Sequence, residues 1–265
     1  MRIADTHAHL YFPAFDKDRE AVLERNRERG VGLQVQIGCN QESSEKALKL
    51  AQDHADIFCV LGIHPCDADK VENLEATLAY FEKQAEQYPD LVVGFGETGL
   101  DLYHRDTPEL LEAQKKSLRG HLELCKQFDK PVVLHTRNSA EKTLEELDEF
   151  GKLDFGGVWH CFCENWSVAK QVLDRGLYLG VGGILTYPKA EETRNAIKLA
   201  PLSRIVTETD LPFLVPQSRR KETKRNESYF LEEVIEVIAE IKGEKLEKVE
   251  QALWDNAHAL FKLTQ

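Results

Sequence analysis

A chain of 265 residues that is 42% hydrophobic and 30% charged has the composition of a folded globular protein, long enough for one large barrel or two ordinary domains and unlike a disordered polypeptide. Its formal charge of −12 argues against broad electrostatic coating of duplex nucleic acid, but leaves room for a phosphate-bearing substrate met by local cations or metal ions. No apolar run approaches the ~20 residues of a membrane-spanning helix, and the chain enters an apolar segment too early for a signal peptide, so a cytoplasmic protein without membrane association is expected.

Eight β-type segments follow one another at 3–9, 33–39, 58–64, 92–97, 132–136, 158–161, 178–183 and 205–210. The first ends in His7 and His9, two residues apart. On a strand such positions share a face, so the two imidazoles would converge on a point suited to a divalent metal. Spacing alone equally describes two ordinary histidines at a strand end. Segment 58–63 is apolar without alternation, as in strands covered on both faces.

Between the strands lie stretches of helical periodicity at 18–29, 43–55, 74–85, 109–128, 140–150, 167–173 and 191–199. After the eighth strand come a basic loop and two amphipathic helices, 229–241 and 246–263. This alternation predicts parallel strands joined by helical crossovers, and eight units in this length predict a (β/α)8 TIM barrel forming a single domain over 1–265. Six cysteines (39, 59, 66, 125, 161 and 163) without C-x-x-C spacing read as reduced thiols, with Cys39 and Cys59 as core filler.

The C-terminal strand ends carry the chemistry: His7 and His9 on the first, His64 on the third, Glu97 on the fourth, His135 on the fifth, His160 on the sixth and Asp210 on the eighth. In a barrel of this type the active site is built at that end. Five of the nine histidines fall there, a placement that random scatter would not give. Neutral imidazoles and carboxylates bind Zn²⁺, Mn²⁺ or Fe²⁺ well, and a carboxylate can bridge two ions and offset their charge. Two such ions can activate water and stabilise displacement at phosphorus, while a terminal Asp accepts the proton.

Six motifs then carry a resemblance: Asp5-Thr6-His7-Ala8-His9, Gly62-Ile63-His64-Pro65, Gly96-Glu97-Thr98-Gly99-Leu100-Asp101, His135-Thr136-Arg137, Trp159-His160-Cys161-Phe162 and Thr207-Glu208-Thr209-Asp210. With Lys224-Arg225-Asn226-Glu227 and Asn256-Ala257-His258-Ala259-Leu260-Phe261, they run in order from residue 5 to 261, and the chain resembles the TatD family of metal-dependent hydrolases within the amidohydrolase-like superfamily. The resemblance implies two divalent ions (Zn, Mn, Fe or Mg). His7, His9, Glu97 and Asp210 would hold one; Glu97, His135 and His160 would hold the other, with Glu97 bridging. It further implies Asp210 as general base, His64 on the scissile phosphate or leaving group, and 3′→5′ exonuclease activity on single-stranded DNA or RNA ends. Glu208, one strand period from Asp210, is expected on the same face, to orient a ligand or to pack.

The basic run 218–225 is expected to overhang the site, making Arg219, Lys224 and Arg225, together with Arg137, candidates for phosphate binding. Tyr103, Trp166 and Tyr187 are candidates to stack on bases. The chain departs from the family pattern at Cys66, where a second histidine commonly follows, at Cys163-Glu164, and at Leu211-Pro212-Phe213. These departures touch the substrate side rather than the ligands. They keep open a metal-dependent amide or ester hydrolase on the same site, and a non-catalytic scaffold as a third reading. A monomer or weak oligomer is expected.

Overall fold

The computed structural model describes residues 2–103 and 105–264, and in it eight strands lie in chain order in one sheet. They are β1 (Ile3–Ala8), β2 (Val31–Ile37), β3 (Ile57–Leu61), β4 (Val92–Asp101), β5 (Val132–Arg137), β6 (Gly157–Trp159), β7 (Tyr178–Val181) and β8 (Ile205–Thr207). Every neighbouring pair from β1 to β8 is parallel. Helices α1 (Arg19–Glu28), α2 (Gln41–Asp53), α3 (Leu74–Gln87), α4 (Pro108–Phe128), α5 (Ala140–Phe150), α6 (Trp166–Asp174) and α7 (Glu191–Leu199) supply the crossovers. Two further helices, α8 (Leu231–Lys242) and α9 (Leu246–Phe261), complete the chain. The expected (β/α)8 barrel is therefore the observed one.

The ring closes at the β8–β1 seam by a different means from the other joins. One isolated parallel bridge links Ala8 and Leu211. Around it, Thr6 Oγ1 donates to the Thr207 carbonyl (3.0 Å) and Thr207 Oγ1 to the Ala4 carbonyl (2.9 Å). The buried carboxylate of Asp5 accepts the Thr209 N–H (2.9 Å) and the hydroxyls of Thr209 (2.6 Å) and Ser228 (2.7 Å). Hydroxyls and a carboxylate thus satisfy backbone groups that a regular ladder would otherwise pair.

Inside the barrel, Val133 and Val158 stand two residues before His135 and His160 and so share their inward faces. They cluster with Val35, Val60, Val93 and Val206, and Leu260 and Phe261 of α9 pack against this layer. A packed apolar floor therefore lies beneath the histidines. The outer layer is formed by amphipathic helices, of which α4 is the longest. Thr107 caps it by accepting the Leu110 N–H (3.3 Å), Pro108 starts it, and Asp129 ends it in the left-handed conformation. Its stripe of Leu110, Leu118, Leu122 and Cys125 is buried, and Leu118→Ala would cost about 2–5 kcal/mol.

Several strand limits differ from the sequence expectation. Ladders end where a neighbour stops pairing, which composition does not reveal. His64, His160 and Asp210 lie just beyond strands, whereas Glu97 lies within β4, which continues to Asp101 because β5 pairs with it as far as Asp101–Arg137. Trp166, expected in a loop, is the first residue of α6. Among the described residues no helix is long and apolar enough to cross a membrane.

Candidate metal centre

Glu97 occupies the middle of the site because β4 can lie unusually close to β5. At Gly99, which has φ +142°, a Cβ would meet the His135 carbonyl oxygen at 2.0 Å, so only glycine permits this approach. The two carboxylate oxygens of Glu97 then face two different groups. Oε2 looks toward His7 Nε2 (3.3 Å) and His9 Nε2 (4.0 Å). Oε1 looks toward His135 Nδ1 (2.6 Å), His160 Nε2 (3.6 Å) and His64 Nε2 (3.6 Å).

Asp210 completes the first group. Its Oδ1 lies 3.2 Å from His9 Nε2 and 3.8 Å from His7 Nε2. The residue has φ +55°, and its N–H donates to the His7 carbonyl (2.9 Å), so the turn after β8 folds the side chain back over β1. All six expected ligands are thus brought together. Their solvent access differs: the side chains of His7, His9, Glu97 and His160 are at most 4% exposed, whereas Asp210 is 20%, His64 21% and His135 15% exposed. A substrate can reach the second set but not the first.

The donor set fits divalent cations. His9 Nδ1 donates to the Ile37 carbonyl (2.9 Å), an acceptor only, which leaves Nε2 to face His7 Nε2 (3.2 Å) and the carboxylates of Glu97 and Asp210. Although burial lowers the His9 imidazole, Cys39, Tyr11 and its hydrogen bond with Asp210 raise it well above its ordinary range, and a cation would take the place of the Nε2 proton. Burial and the neighbouring His160 push the His7 imidazole below its ordinary range, which keeps it neutral as a ligand must be. Burial works to raise Glu97, but His64, His7, His160 and the hydrogen bond with His135 outweigh it and hold the carboxyl well below the usual range. Asp210 is likewise held low against burial by its hydrogen bond with His9 and by His160 and His7.

The groups behind the ligands were only partly foreseen. Glu208 and Asp210 both lie beyond β8, which ends at Thr207, so strand periodicity does not place them. Instead Glu208 Oε1 lies 2.8 Å from His160 Nδ1 and accepts the Cys161 N–H (2.5 Å), with space for the carboxylate left by Gly180. It holds the His160 ring in place rather than merely packing. Asp101, whose role was missed, stands 3.1 Å from His135 Nε2. His135 is therefore held between two carboxylates, and although burial lowers it, its hydrogen bonds with Asp101 and Glu97 push it up to about 9.

Gln114 and His121 on α4 were also missed, although polar residues in an otherwise apolar stripe mark them. Gln114 Nε2 donates to the carbonyls of Pro65 (3.2 Å) and Asp101 (3.0 Å), and its Oε1 accepts the Asp101 N–H (3.2 Å). His121 Nε2 accepts the Ile63 N–H (3.2 Å), fixing the residue before His64. Cys39 is not core filler: it is part-exposed, with Sγ 3.5 Å from Tyr11 Oη and 3.9 Å from His9 Nδ1. Cys59 is buried as expected.

The cationic candidates divide. Arg225 pairs with Asp18 (2.7 Å) and Glu227 (3.0 Å), and Arg219 pairs with Glu232 (3.2 Å) and Glu233. Their charge is matched within the protein. Lys224 Nζ touches only the Arg220 carbonyl (3.4 Å) among the described residues, and the Arg137 guanidinium lies 3.8 Å over the Tyr103 ring. Tyr187 is held by a bond from its hydroxyl to the Val215 carbonyl (3.0 Å), with Arg220 over its ring.

Residues 4–262 match the family model described as TatD related DNase. The uncharacterized metal-dependent hydrolase YjjV of Escherichia coli is 34% identical over 260 residues, 98% of each chain. A 3′-5′ ssDNA/RNA exonuclease TatD of Erwinia amylovora is 32% identical over 264 residues, 98% of this chain and 99% of its own. The crystal structure of the TatD homologue YjjV from Escherichia coli K12 superimposes with a TM-score of 0.91 at 32% identity, covering 99% of both chains.

Proposed function

The chain belongs to the TatD-related DNase family, and from that premise we propose that it is a metal-dependent hydrolase that removes nucleotides from the 3′ ends of single-stranded DNA or RNA. The observation that carries this reading is the split of Glu97: one oxygen faces His7 and His9, the other His135 and His160. A carboxylate so placed would hold two cations side by side, with Asp210 joining the first group. Divalent ions bound there would supply Lewis-acid polarisation of the scissile phosphodiester and a more acidic water. Four imidazoles favour Zn²⁺, Mn²⁺ or Fe²⁺ over Mg²⁺.

The chain's own groups would do the rest. Asp210, ionised and partly open to solvent, accepts the proton of the attacking water. His64 Nδ1 accepts the Cys66 N–H (3.1 Å), so its proton sits on Nε2, and burial pushes its pKa down to about 4. His64 is thus a neutral hydrogen-bond donor, suited to a phosphoryl oxygen or the departing oxygen rather than to a third metal bond. Arg137 and Lys224 remain to meet the flanking phosphates, while Arg219 and Arg225 brace the loop against α8 and α1.

That internal pairing of two arginines weakens the positive potential over the mouth and favours, as a second reading, hydrolysis of an amide or ester at the same centre. One experiment separates the two: elemental analysis with cleavage of 3′- and 5′-labelled single-stranded oligonucleotides, for wild type and Asp210→Asn. Expected are close to two metals per chain, shortening from the 3′ end, and near-complete loss in the variant. Two metals with an intact oligonucleotide would reject the nuclease in favour of the amide or ester reading. A metal-free, inactive protein would reject both and leave a scaffold.

A further inference from the structure

Only three large hydrophobic side chains are more than half exposed among the described residues: Tyr103, Leu199 and Phe213. Single exposed apolar residues are ordinary, so exposure alone assigns nothing. The placement of two of them does. Tyr103 follows β4 and Phe213 follows β8, strands four places apart in an eight-stranded ring and therefore on opposite sides of the barrel mouth.

Neither ring sits on a slack loop. The Phe213 N–H donates to the Asp210 carbonyl (2.9 Å), the preceding Pro212 carbonyl accepts the Asn226 N–H (2.9 Å), and Asn226 Nδ2 reaches the Thr209 carbonyl (3.1 Å). The Phe213 ring stands edge-on to Phe12 (centroids 5.9 Å, 80°), and Phe12 stacks on His9 (5.0 Å, 23°). One face of a fixed phenyl ring is thus presented to solvent three residues from Asp210. Across the mouth, the Tyr103 N–H donates to Asp101 Oδ1 (2.9 Å), and the Arg137 guanidinium covers the ring at 3.8 Å. Each side offers a flat π-surface held by a residue within or directly behind the candidate centre.

Resting on the nuclease reading, we propose that Phe213 and the Tyr103–Arg137 pair stack the two nucleobases that flank the scissile phosphate. Stacking accepts any base, because every base has a π-face, whereas reading sequence needs convergent hydrogen-bond donors and acceptors. The centre would then act on end nucleotides with little base preference and would discriminate strongly against an end that lacks a base.

The test uses the full-length protein and an oligonucleotide whose 3′-terminal or penultimate base is either 2-aminopurine or absent. With metal removed by chelation, 2-aminopurine fluorescence should be quenched on binding wild type at both positions. Quenching at one position should be lost in Phe213→Ala and at the other in Tyr103→Ala, while Phe213→Tyr should keep it. With metal restored, removing either base should lower kcat/KM roughly tenfold or more in wild type. Phe213→Ala should show a similar loss on the intact strand, but no further loss when the base it stacks is also absent. Cleavage and quenching unchanged in Phe213→Ala, with the intact strand still cut, would overturn the clamp alone. A wild type that cuts no oligonucleotide would overturn the nuclease reading and the clamp with it, and unfolding curves of the variants matching wild type exclude a folding defect.

Discussion

Replacing Gln114 by methionine keeps the length and nearly the volume of the side chain while removing its three hydrogen bonds. Those bonds join α4 to the carbonyls of Pro65 and Asp101 and to the Asp101 N–H, and Gln114 is fully buried, so water cannot take their place. At about 1 kcal/mol for each bond, with up to about 2 kcal/mol more for the stranded Asp101 N–H, the loss is about 3–5 kcal/mol. The more apolar side chain returns about 1 kcal/mol. The metal-free variant should therefore be less stable by about 2–4 kcal/mol in urea unfolding at unchanged m-value. Asp101 braces His135, so metal affinity should fall as well. A stability loss under about 1 kcal/mol would refute the view that Gln114 ties the Pro65 turn to the end of β4.

Three other perturbations follow from the same geometry. His135 is pushed up to about 9, so it is protonated at neutral pH in the metal-free protein and must give up that proton as a ligand. Metal affinity should rise with pH, by up to about tenfold per unit, until about pH 9; calorimetry in buffers of different ionisation enthalpy should find proton release, and none would refute the carboxylate clamp. Burial, opposed by bonds from Ser228, Thr209 and His7, raises Asp5 to about 6 against an unfolded value of 3.8, so the folded state holds this proton more tightly. Its stabilising effect is complete well below pH 3.8 and lost as pH rises through 6, a swing of about 3 kcal/mol; the wild type should lose most of that relative to Asp5→Asn between pH 4 and 7 in chelator, and parallel curves would reject the assignment. Gly99→Ala places a Cβ 2.0 Å from the His135 oxygen at φ +142°, and should cost at least about 2 kcal/mol in urea unfolding; an unchanged midpoint would contradict the close β4–β5 approach.

The barrel was legible because strands covered on both faces read as apolar runs and the crossovers as amphipathic periods. The clustering of the six candidate ligands was legible because histidines and carboxylates stood at the ends of those runs. Asp101 was not, because its role comes from β4 extending past a glycine-rich stretch that looks unlike a strand. Glu208 was assigned a face by strand periodicity, which does not apply there because β8 ends at Thr207. The basic run read as an open cationic surface because its partners, Asp18, Glu232 and Glu233, lie elsewhere in the sequence and are supplied only by folding.

The seam also sets when the centre can exist. His7 and His9 leave the ribosome before Asp210, which joins them through its own bond to the His7 carbonyl, the Ala8–Leu211 bridge and the Asp5 contacts with Thr209 and Ser228, more than 200 residues later. A nascent chain that stops short of Asp210 lacks one of the six candidate ligands and leaves the β8–β1 seam open. The centre therefore cannot close until the last strand has been made, and a ribosome-stalled chain ending before Asp210 should bind metal far more weakly than one released whole.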